Sequence, residues 1–445
     1  MGMEKNMNQQ YAELFSGFSK LDRKDRMARL KQLGVLEEED IQLLNRRGSL
    51  DVELAEKFIE NVIGYFYLPM GVAANFVINN KAYAIPMAVE ETSIIAAASK
   101  TAKWIREKGE ITTRTIGQEI IGQIQLAKVN DFENFSRIVF NEKQNFIEEL
   151  NREVCHGLVR RGGGVRDLQI RKIQRPDGGI MAVIHLLACT CDAMGANIMN
   201  QAVEYLKIPI EKLTHEKVTM CILSNLVDSK ITEARVELND VEPEMAEKIE
   251  EASLFAELDP YRAATNNKGV LNGIDPILIA TGNDWRAVES GVHAYAASSG
   301  QYRSVTKWKR EGEKLVGLFE APIVLGVVGG VTRLHPMAKM SLKMMNINSA
   351  DELSEVCAAV GLVQNLGAIK ALTSVGIIEG HMKLHIKNLT LGAGAEEKEI
   401  PIVQKRLEEI LSLTSRISMS NAIDVLKELR GQKNKSNLKE SEVLG

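Results

Sequence analysis

Five segments of the chain bring together side chains that can move a proton, neutralise an oxyanion or cradle a phosphate. The first is the carboxyl pair Glu90-Glu91, suited to general acid–base work. Its plainer account is that the acids complement the dipole of an alanine-rich helix expected over 89–98. The second is Asp192-Ala193-Met194-Gly195-Ala196-Asn197, which follows an apolar strand and opens a helix. Free N–H groups and the positive end of the dipole there suit a pyrophosphate, with Gly195 allowing close approach. Alternatively, Asp192 simply caps that helix. The third, over 261–273, gathers Arg262, Asn266, Asn267, Lys268 and Asn272 among glycines. Lys268 and Asn272 are four apart and face the same way on a helix, while Arg262 can fork onto a carboxylate. A solvated polar turn is the competing account. The fourth is Thr281-Gly282-Asn283-Asp284-Trp285-Arg286, in which Asp284 is either a chemical group or a helix cap. The fifth is Gly380-His381-Met382, where a histidine sits on a segment that could deliver it, or is merely structural. No G-x-G-x-x-G follows a strand and no P-loop motif occurs, so neither a standard Rossmann site nor a P-loop is supported.

The elements that must position these groups read as follows. Helices are expected over 27–33, 37–44 and 52–62, each stopped by a glycine, at Gly34, Gly48 and Gly64. A strand is expected over 82–87. From about 111 to 221 the pattern is β-α-β-like, with a branched stretch over 111–121, a helix near 141–150, an alternating strand over 165–173 and an apolar strand over 180–190. Further strands are expected over 277–280 and 323–328, and helices over 287–297, 353–372, 399–413 and 420–429, before a polar tail from Gly431. The stretches 329–336 and 364–367 read as site-lining turns.

A length of 445 residues allows two or three domains. Fifty-nine acidic against 55 basic residues give a net charge of −4, which excludes a strongly basic nucleic-acid binder. No uninterrupted apolar run reaches the roughly 18 residues of a membrane span, and the first residues lack a signal-peptide core, so a cytoplasmic protein is expected. Five cysteines, odd in number and without a C-x-x-C pair, suggest buried free thiols rather than a disulfide framework or a zinc site.

Taken in order, Pro86-Met87-Ala88-Val89-Glu90-Glu91, the Asp192 motif, Asn267-Lys268-Gly269, Thr281-Gly282-Asn283-Asp284 and Gly380-His381-Met382 resemble the signatures of the 3-hydroxy-3-methylglutaryl-CoA (HMG-CoA) reductase family. With Glu60-Asn61-Val62-Ile63-Gly64, the resemblance runs from about residue 15 to 430, and it is to the soluble bacterial class II form. One departure is Thr92, where many class II members carry proline. The resemblance implies an α+β multidomain fold. A large mixed α/β substrate domain (1–115 and 222–380) would hold an inserted, small ferredoxin-like nucleotide-binding domain (116–221), followed by a helical C-terminal flap with a polar tail (381–445). It implies Glu91, Lys268, Asp284 and His381 as catalytic residues, and Ser93, Arg262 and Asn272 as substrate contacts. It implies Asp192, Met194, Gly195, Asn197 and Asn225 as contacts to the nicotinamide cofactor.

The implied reaction is the four-electron reduction of the HMG-CoA thioester to mevalonate and CoA, through mevaldyl-CoA and mevaldehyde, in isoprenoid synthesis. Each hydride step places negative charge on one oxygen, which a lysine in a water-poor pocket stabilises. The departing thiolate needs a proton, a task for imidazolium. The implied partners are HMG-CoA, mevalonate, CoA and a second copy of the chain in a homodimer or an assembly of dimers, without metal, nucleic acid or membrane. NADPH is favoured over NADH because Cys155, with Arg160 and Arg161 after it, falls nearest the position where NAD enzymes place a carboxylate. Competing readings are mevalonate oxidation with NAD, a CoA-thioester transferase using Glu91 as nucleophile, and a helical scaffold.

Overall fold

The computed structural model describes residues 2–46, 52–374, 377–414 and 416–443, without the side chains of 2–7, 377–384 and 432–443. Contacts divide the chain into two units, Met1–Glu90 with Ile94–Ile369, and Glu91–Ser93 with Lys370–Gly445.

In the first unit, β1 (Met70–Ile78) and β2 (Lys81–Ala88) form an antiparallel hairpin. Its two-residue turn, Asn79-Asn80, has φ of 47° and 64°, a twist-matched geometry that asparagine tolerates. The other strands are β3 (Gly109–Ile116), β4 (Glu119–Leu126), β5 (Gly164–Gln174), β6 (Ile180–Cys189), β7 (Met220–Leu223), β8 (Ile231–Leu238), β9 (Thr306–Glu311) and β10 (Lys314–Ala321). They form two four-stranded antiparallel sheets, ordered β3-β8-β10-β9 and β5-β6-β4-β7.

The second of these sheets arises from a β-α-β-β-α-β run, with helices Phe132–Glu153 and Ala196–Thr214 between strands, the ferredoxin-like arrangement. Alternation puts Ile120, Ile124 and Leu126 of β4 and Ala182, Ile184 and Leu186 of β6 on one face, packed with Val139, Leu150, Val203 and Leu206 of the helices. At Gly122 a Cβ would lie 2.6 Å from the Val203 side chain, so the missing side chain lets helix and sheet close up.

The first sheet shares a larger core with helices Ile94–Lys108, Pro243–Leu258, Pro260–Ala280 and Ala350–Thr373. Helix Ala350–Thr373 is apolar on nearly every side, as a central core helix must be. Among the described residues it alone is long and apolar enough to cross a membrane, and 67% of that span is buried inside the protein. Nearer the N-terminus, Asp22 caps helix Arg23–Gln32 by accepting from Asp25 N, and Gly34 (φ 73°) turns the chain out of it. The second unit contains helices Ile377–Gly392, Ile400–Thr414 and Met419–Val443. Its core is Ile386, Leu389, Val403, Leu407, Ala422 and Leu426. Arg430 grips the buried Glu399 carboxylate with Nε at 3.0 Å and Nη2 at 2.9 Å.

Several expectations are corrected. Residues 277–280 are the last turn of helix Pro260–Ala280, not a strand, because a short buried apolar run reads alike in both. Residues 322–329 form an irregular strap rather than a strand over 323–328. The helix expected over 89–98 starts only at Ile94, so Glu90 and Glu91 precede it and are not its first-turn acids. Helix Val52–Ala55 is far shorter than 52–62: residues 56–58 form a turn, and Asn61 (φ 56°) is left-handed. Residues 364–367 lie inside helix Ala350–Thr373, not in a turn, and the helix from Met419 runs through the polar stretch after Gly431.

One largely buried carboxyl faces a second helix. Asp275, on helix Pro260–Ala280, is largely buried, and its Oδ1 has no hydrogen-bond partner among the described residues. Burial, then the charge of Glu289 on helix Trp285–Ala296, pushes its carboxyl up to about 8. A carboxyl raised this far binds its proton more tightly in the folded state than in the unfolded state, where it titrates near about 4. Its stabilising contribution is therefore complete below about pH 4 and is lost as pH rises toward about 8. We expect Asp275→Asn, which mimics the protonated form, to gain in Tm relative to wild type between about pH 5 and about pH 8. A Tm difference that stays flat across that range would contradict the raised Asp275 carboxyl.

Candidate active site

The lysine segment is helical from Pro260 to Ala280, with Pro260 in its first turn and Asp259 accepting from Arg262 N at 3.1 Å. Ala263, Asn266, Asn267, Val270, Ile274 and Ile277 turn inward at helical spacing. Lys268 lies on the opposite, exposed side, with Asn272 half-buried one turn later and Arg262 half-buried near the start. The competing account of a polar turn is therefore excluded, and Lys268 and Asn272 face the same way. Burial pulls the Arg262 guanidinium below its usual range.

Two buried asparagines hold this helix in register. Asn266 donates to Ser304 Oγ at 2.7 Å and Thr306 Oγ1 at 3.0 Å, and accepts from Asn365 Nδ2 at 2.8 Å. Asn365 in turn accepts from Trp308 Nε1 at 2.8 Å. Asn267 donates to the Arg303 carbonyl at 2.8 Å and accepts from Val305 N at 3.1 Å. Each of these groups would cost about 1–3 kcal/mol if left unpaired. At Gly273 a Cβ would stand 2.8 Å from the Val360 carbonyl and 3.0 Å from Gly361 Cα, so the lysine helix and helix Ala350–Thr373 cross at glycine distance. Residues 266 and 365 lie 99 positions apart, and no local sequence pattern links them.

Asp284 follows the lysine helix by four residues, beyond a turn at Gly282 (φ 70°). Its carboxylate accepts from Ala287 N at 3.3 Å, capping helix Trp285–Ala296, and lies 3.3 Å from Arg286 Nη2. Before it, Asn283 donates to Thr281 Oγ1 at 3.0 Å and accepts from Gly326 N at 2.8 Å. Arg262, Lys268, Asn272 and Asp284 are thus carried by one helix and the turn that ends it.

In the nucleotide motif, helix Ala196–Thr214 starts after Gly195 (φ 90°), and no side chain caps it. A Cβ on Gly195 would run into Thr190 and stand 2.9 Å from Ile120 Cδ1, so only glycine fits. The expectation that Asp192 caps this helix is overturned. Asp192 Oδ1 accepts instead from Ala350 N at 2.9 Å, and its carbonyl from Val327 N at 2.9 Å. Open first-turn N–H groups behind a glycine make an anion site, the form a dinucleotide pyrophosphate requires. Asn197 is exposed in that first turn. Met194, Ala196, Ser224, Asn225 and Pro322 line one small cleft, which brings Asn225 to the motif. Cys155 is 1% exposed, and burial pushes its thiol up to about 11, so it belongs to the core rather than to a ribose contact. Arg160 and Arg161 are exposed on a turn whose Gly163 would bring a Cβ within 2.7 Å of Cys191 Sγ.

Glu91 and Ser93 group with the second unit. Ser93 has φ of 76°, which only a few per cent of non-glycine residues adopt, and its buried Oγ has no partner among the described residues. His381 belongs to helix Ile377–Gly392, and its side chain lies outside the described residues. Among the described residues no three His, Cys, Asp or Glu side chains gather as metal ligands.

Residues 22–386 match the family model described as hydroxymethylglutaryl-coenzyme A reductase. The chain is 42% identical over 419 residues to the 3-hydroxy-3-methylglutaryl-coenzyme A reductase of Archaeoglobus fulgidus, covering 93% of this chain and 94% of that protein. Among solved structures it is similar to a Streptococcus pneumoniae class II enzyme bound to NADPH in open conformations, with a TM-score of 0.78 and 37% identity over 80% of this chain and 99% of the other. A second structure of the S. pneumoniae reductase gives a TM-score of 0.79 and 36% identity over 93% and 99%. With nearly full-length coverage in sequence and fold alike, the chain belongs to the hydroxymethylglutaryl-coenzyme A reductase family.

Proposed function

We propose that the protein reduces the HMG-CoA thioester to mevalonate and CoA with two reduced nicotinamides, in the mevalonate pathway of isoprenoid synthesis. The observation that carries this reading is the family match over 22–386, which includes the lysine helix, the Asp284 turn and the uncapped nucleotide helix. Bound nicotinamide supplies the hydrides. The chain's own residues supply the rest. Lys268 neutralises the oxyanion that each reduction builds, an electrostatic effect worth several kcal/mol once bound substrate and cofactor exclude water from it. Glu91 is the proton donor, Asp284 the fixed carboxylate of the catalytic set, and His381 the group that protonates the leaving thiolate. Ser93, Arg262 and Asn272 hold the hydroxymethylglutaryl part, Arg262 by a forked contact to its carboxylate.

For the cofactor, the open N–H groups after Gly195 take the pyrophosphate, with Met194, Asn197 and Asn225 around it and Asp192 in the same loop. The exposed Arg160 and Arg161 beside that loop favour a further phosphate, which supports NADPH with NADH tolerated. The NADPH-bound S. pneumoniae relative favours the same choice.

We further propose a cytoplasmic homodimer or assembly of dimers, with substrate domain 1–115 and 222–380, nucleotide domain 116–221 and flap 381–445. The fully exposed Ile63 and Phe66, with exposed Ile59 and Tyr67, support a second copy covering this apolar stretch.

With HMG-CoA and NADPH, the purified chain should consume two nicotinamides per mevalonate, followed by loss of nicotinamide absorbance; no turnover refutes the assignment. NADPH should give the higher initial rate, and a large NADH preference would reverse the cofactor choice. Lys268→Ala should lower turnover of both HMG-CoA and mevaldehyde by about 100-fold or more while the circular dichroism is unchanged. His381→Gln should depress thioester reduction far more than reduction of free mevaldehyde, and equal losses would remove the thiolate role.

A further inference from the structure

The nucleotide loop and the catalytic turn are 91 residues apart at Asp192 and Asn283, yet one strand of backbone joins them. The strap over 322–329 passes between the two. At Gly326 a Cβ would lie 2.6 Å from Met194 N and 3.2 Å from the Ala193 carbonyl carbon, so the strap rests directly on the loop. Gly326 N donates to Asn283 Oδ1 at 2.8 Å, and the next amide, Val327 N, donates to the Asp192 carbonyl at 2.9 Å. Two consecutive amides of the strap thus hold one residue from each motif.

The Asp192 side chain closes the arrangement. Its Oδ1 accepts from Ala350 N at 2.9 Å, at the opening of the core helix Ala350–Thr373. That position is an N-terminal amide of a long helix, a donor that an asparagine oxygen serves about as well as a carboxylate. The local cap of the same helix is already filled by Ser349, whose Oγ accepts from Glu352 N at 3.1 Å. Asp192 therefore satisfies an amide that the helix cannot satisfy itself, and leaves the amides of helix Ala196–Thr214 open.

We infer that Asp192 is a positioning residue that clamps the nucleotide loop to the core helix and, through Gly326 and Val327, to the Asn283 turn that presents Asp284, so that nicotinamide affinity depends on both ends of the clamp. This rests on the reading that the loop holds the nicotinamide nucleotide. A carboxylate used as a hydrogen-bond acceptor is replaceable by an amide oxygen, whereas one used for its charge is not. Asn283, remote from the loop in sequence, acts on the cofactor through the strap.

The test measures NADPH dissociation constants by fluorescence for wild type, Asp192→Asn, Asp192→Ala, Asn283→Ala and the double alanine variant. Amide exchange without cofactor is followed over 326–327 and 350–353 in the same proteins. Asp192→Asn should stay within about threefold of wild type, whereas Asp192→Ala should weaken binding by about 10- to 100-fold, the cost of leaving the Ala350 amide without its acceptor. Asn283→Ala should weaken NADPH binding as well, and the double variant should fall short of the product of the single effects. Faster exchange over 350–353 is expected in Asp192→Ala and not in Asp192→Asn. Asp192→Asn binding as poorly as Asp192→Ala, with exchange unchanged in both, overturns the positioning role while the nucleotide reading stands. Asn283→Ala with wild-type NADPH affinity overturns the coupling. Wild type that binds no NADPH overturns the nucleotide reading, and the inference with it.

Discussion

Two buried asparagines immediately before Lys268 determine where its ammonium can stand. Asn266 and Asn267 have their polar atoms matched by Ser304, Thr306, Asn365 and the backbone around Val305, in a region closed to water. A buried polar network of this kind tolerates only one register, because a slip strands several donors at once. The glycine crossing at Gly273 and Gly361 fixes the same helix from a second side by contact alone. Arg262, Asn272 and the Asp284 turn then follow as passengers of a helix whose rotation and depth are already set. A flexible side chain such as lysine gains most from such backing, since the helix removes the freedom that its own four-carbon stem retains.

The nucleotide loop obeys a different constraint. Its helix begins without a side-chain cap, and the residue that could have capped it is committed elsewhere. Backbone in the left-handed region at Cys191 (φ 53°) and Gly195 (φ 90°) makes the sharp entry possible. An anion site made from main-chain amides needs this economy of side chains, because any local acceptor would compete with the ligand. Together the two sites show a division of labour. Side-chain networks fix the lysine helix, and bare backbone opens the helix after Gly195.

Much of this was legible in the sequence, and the reasons for the remainder are physical. The strand over 165–173 announces itself by alternation and that over 180–190 by a continuous apolar run, and the ordered motifs identified the family. The run over 277–280 failed because branched apolar residues in a fully buried helix carry no amphipathic period. The run over 323–328 failed because its apolar side chains pack in an irregular strap whose shape is set by the Asp192 loop. The alanine-rich stretch after Glu91 has helical propensity throughout, yet Ser93 breaks it at φ 76°, a tertiary decision that no local preference records. Trp308 and Asn365 were invisible as supports for the lysine, since their pairing exists only once β9 meets helix Ala350–Thr373.

Ser93 carries one more implication. A glycine would occupy its left-handed backbone at lower conformational cost, and no hydrogen bond from the described residues rewards the hydroxyl. Folding alone therefore argues for losing this side chain. Keeping an oxygen at a spot where the main chain would rather have a hydrogen is thus a cost that nothing among the described residues repays.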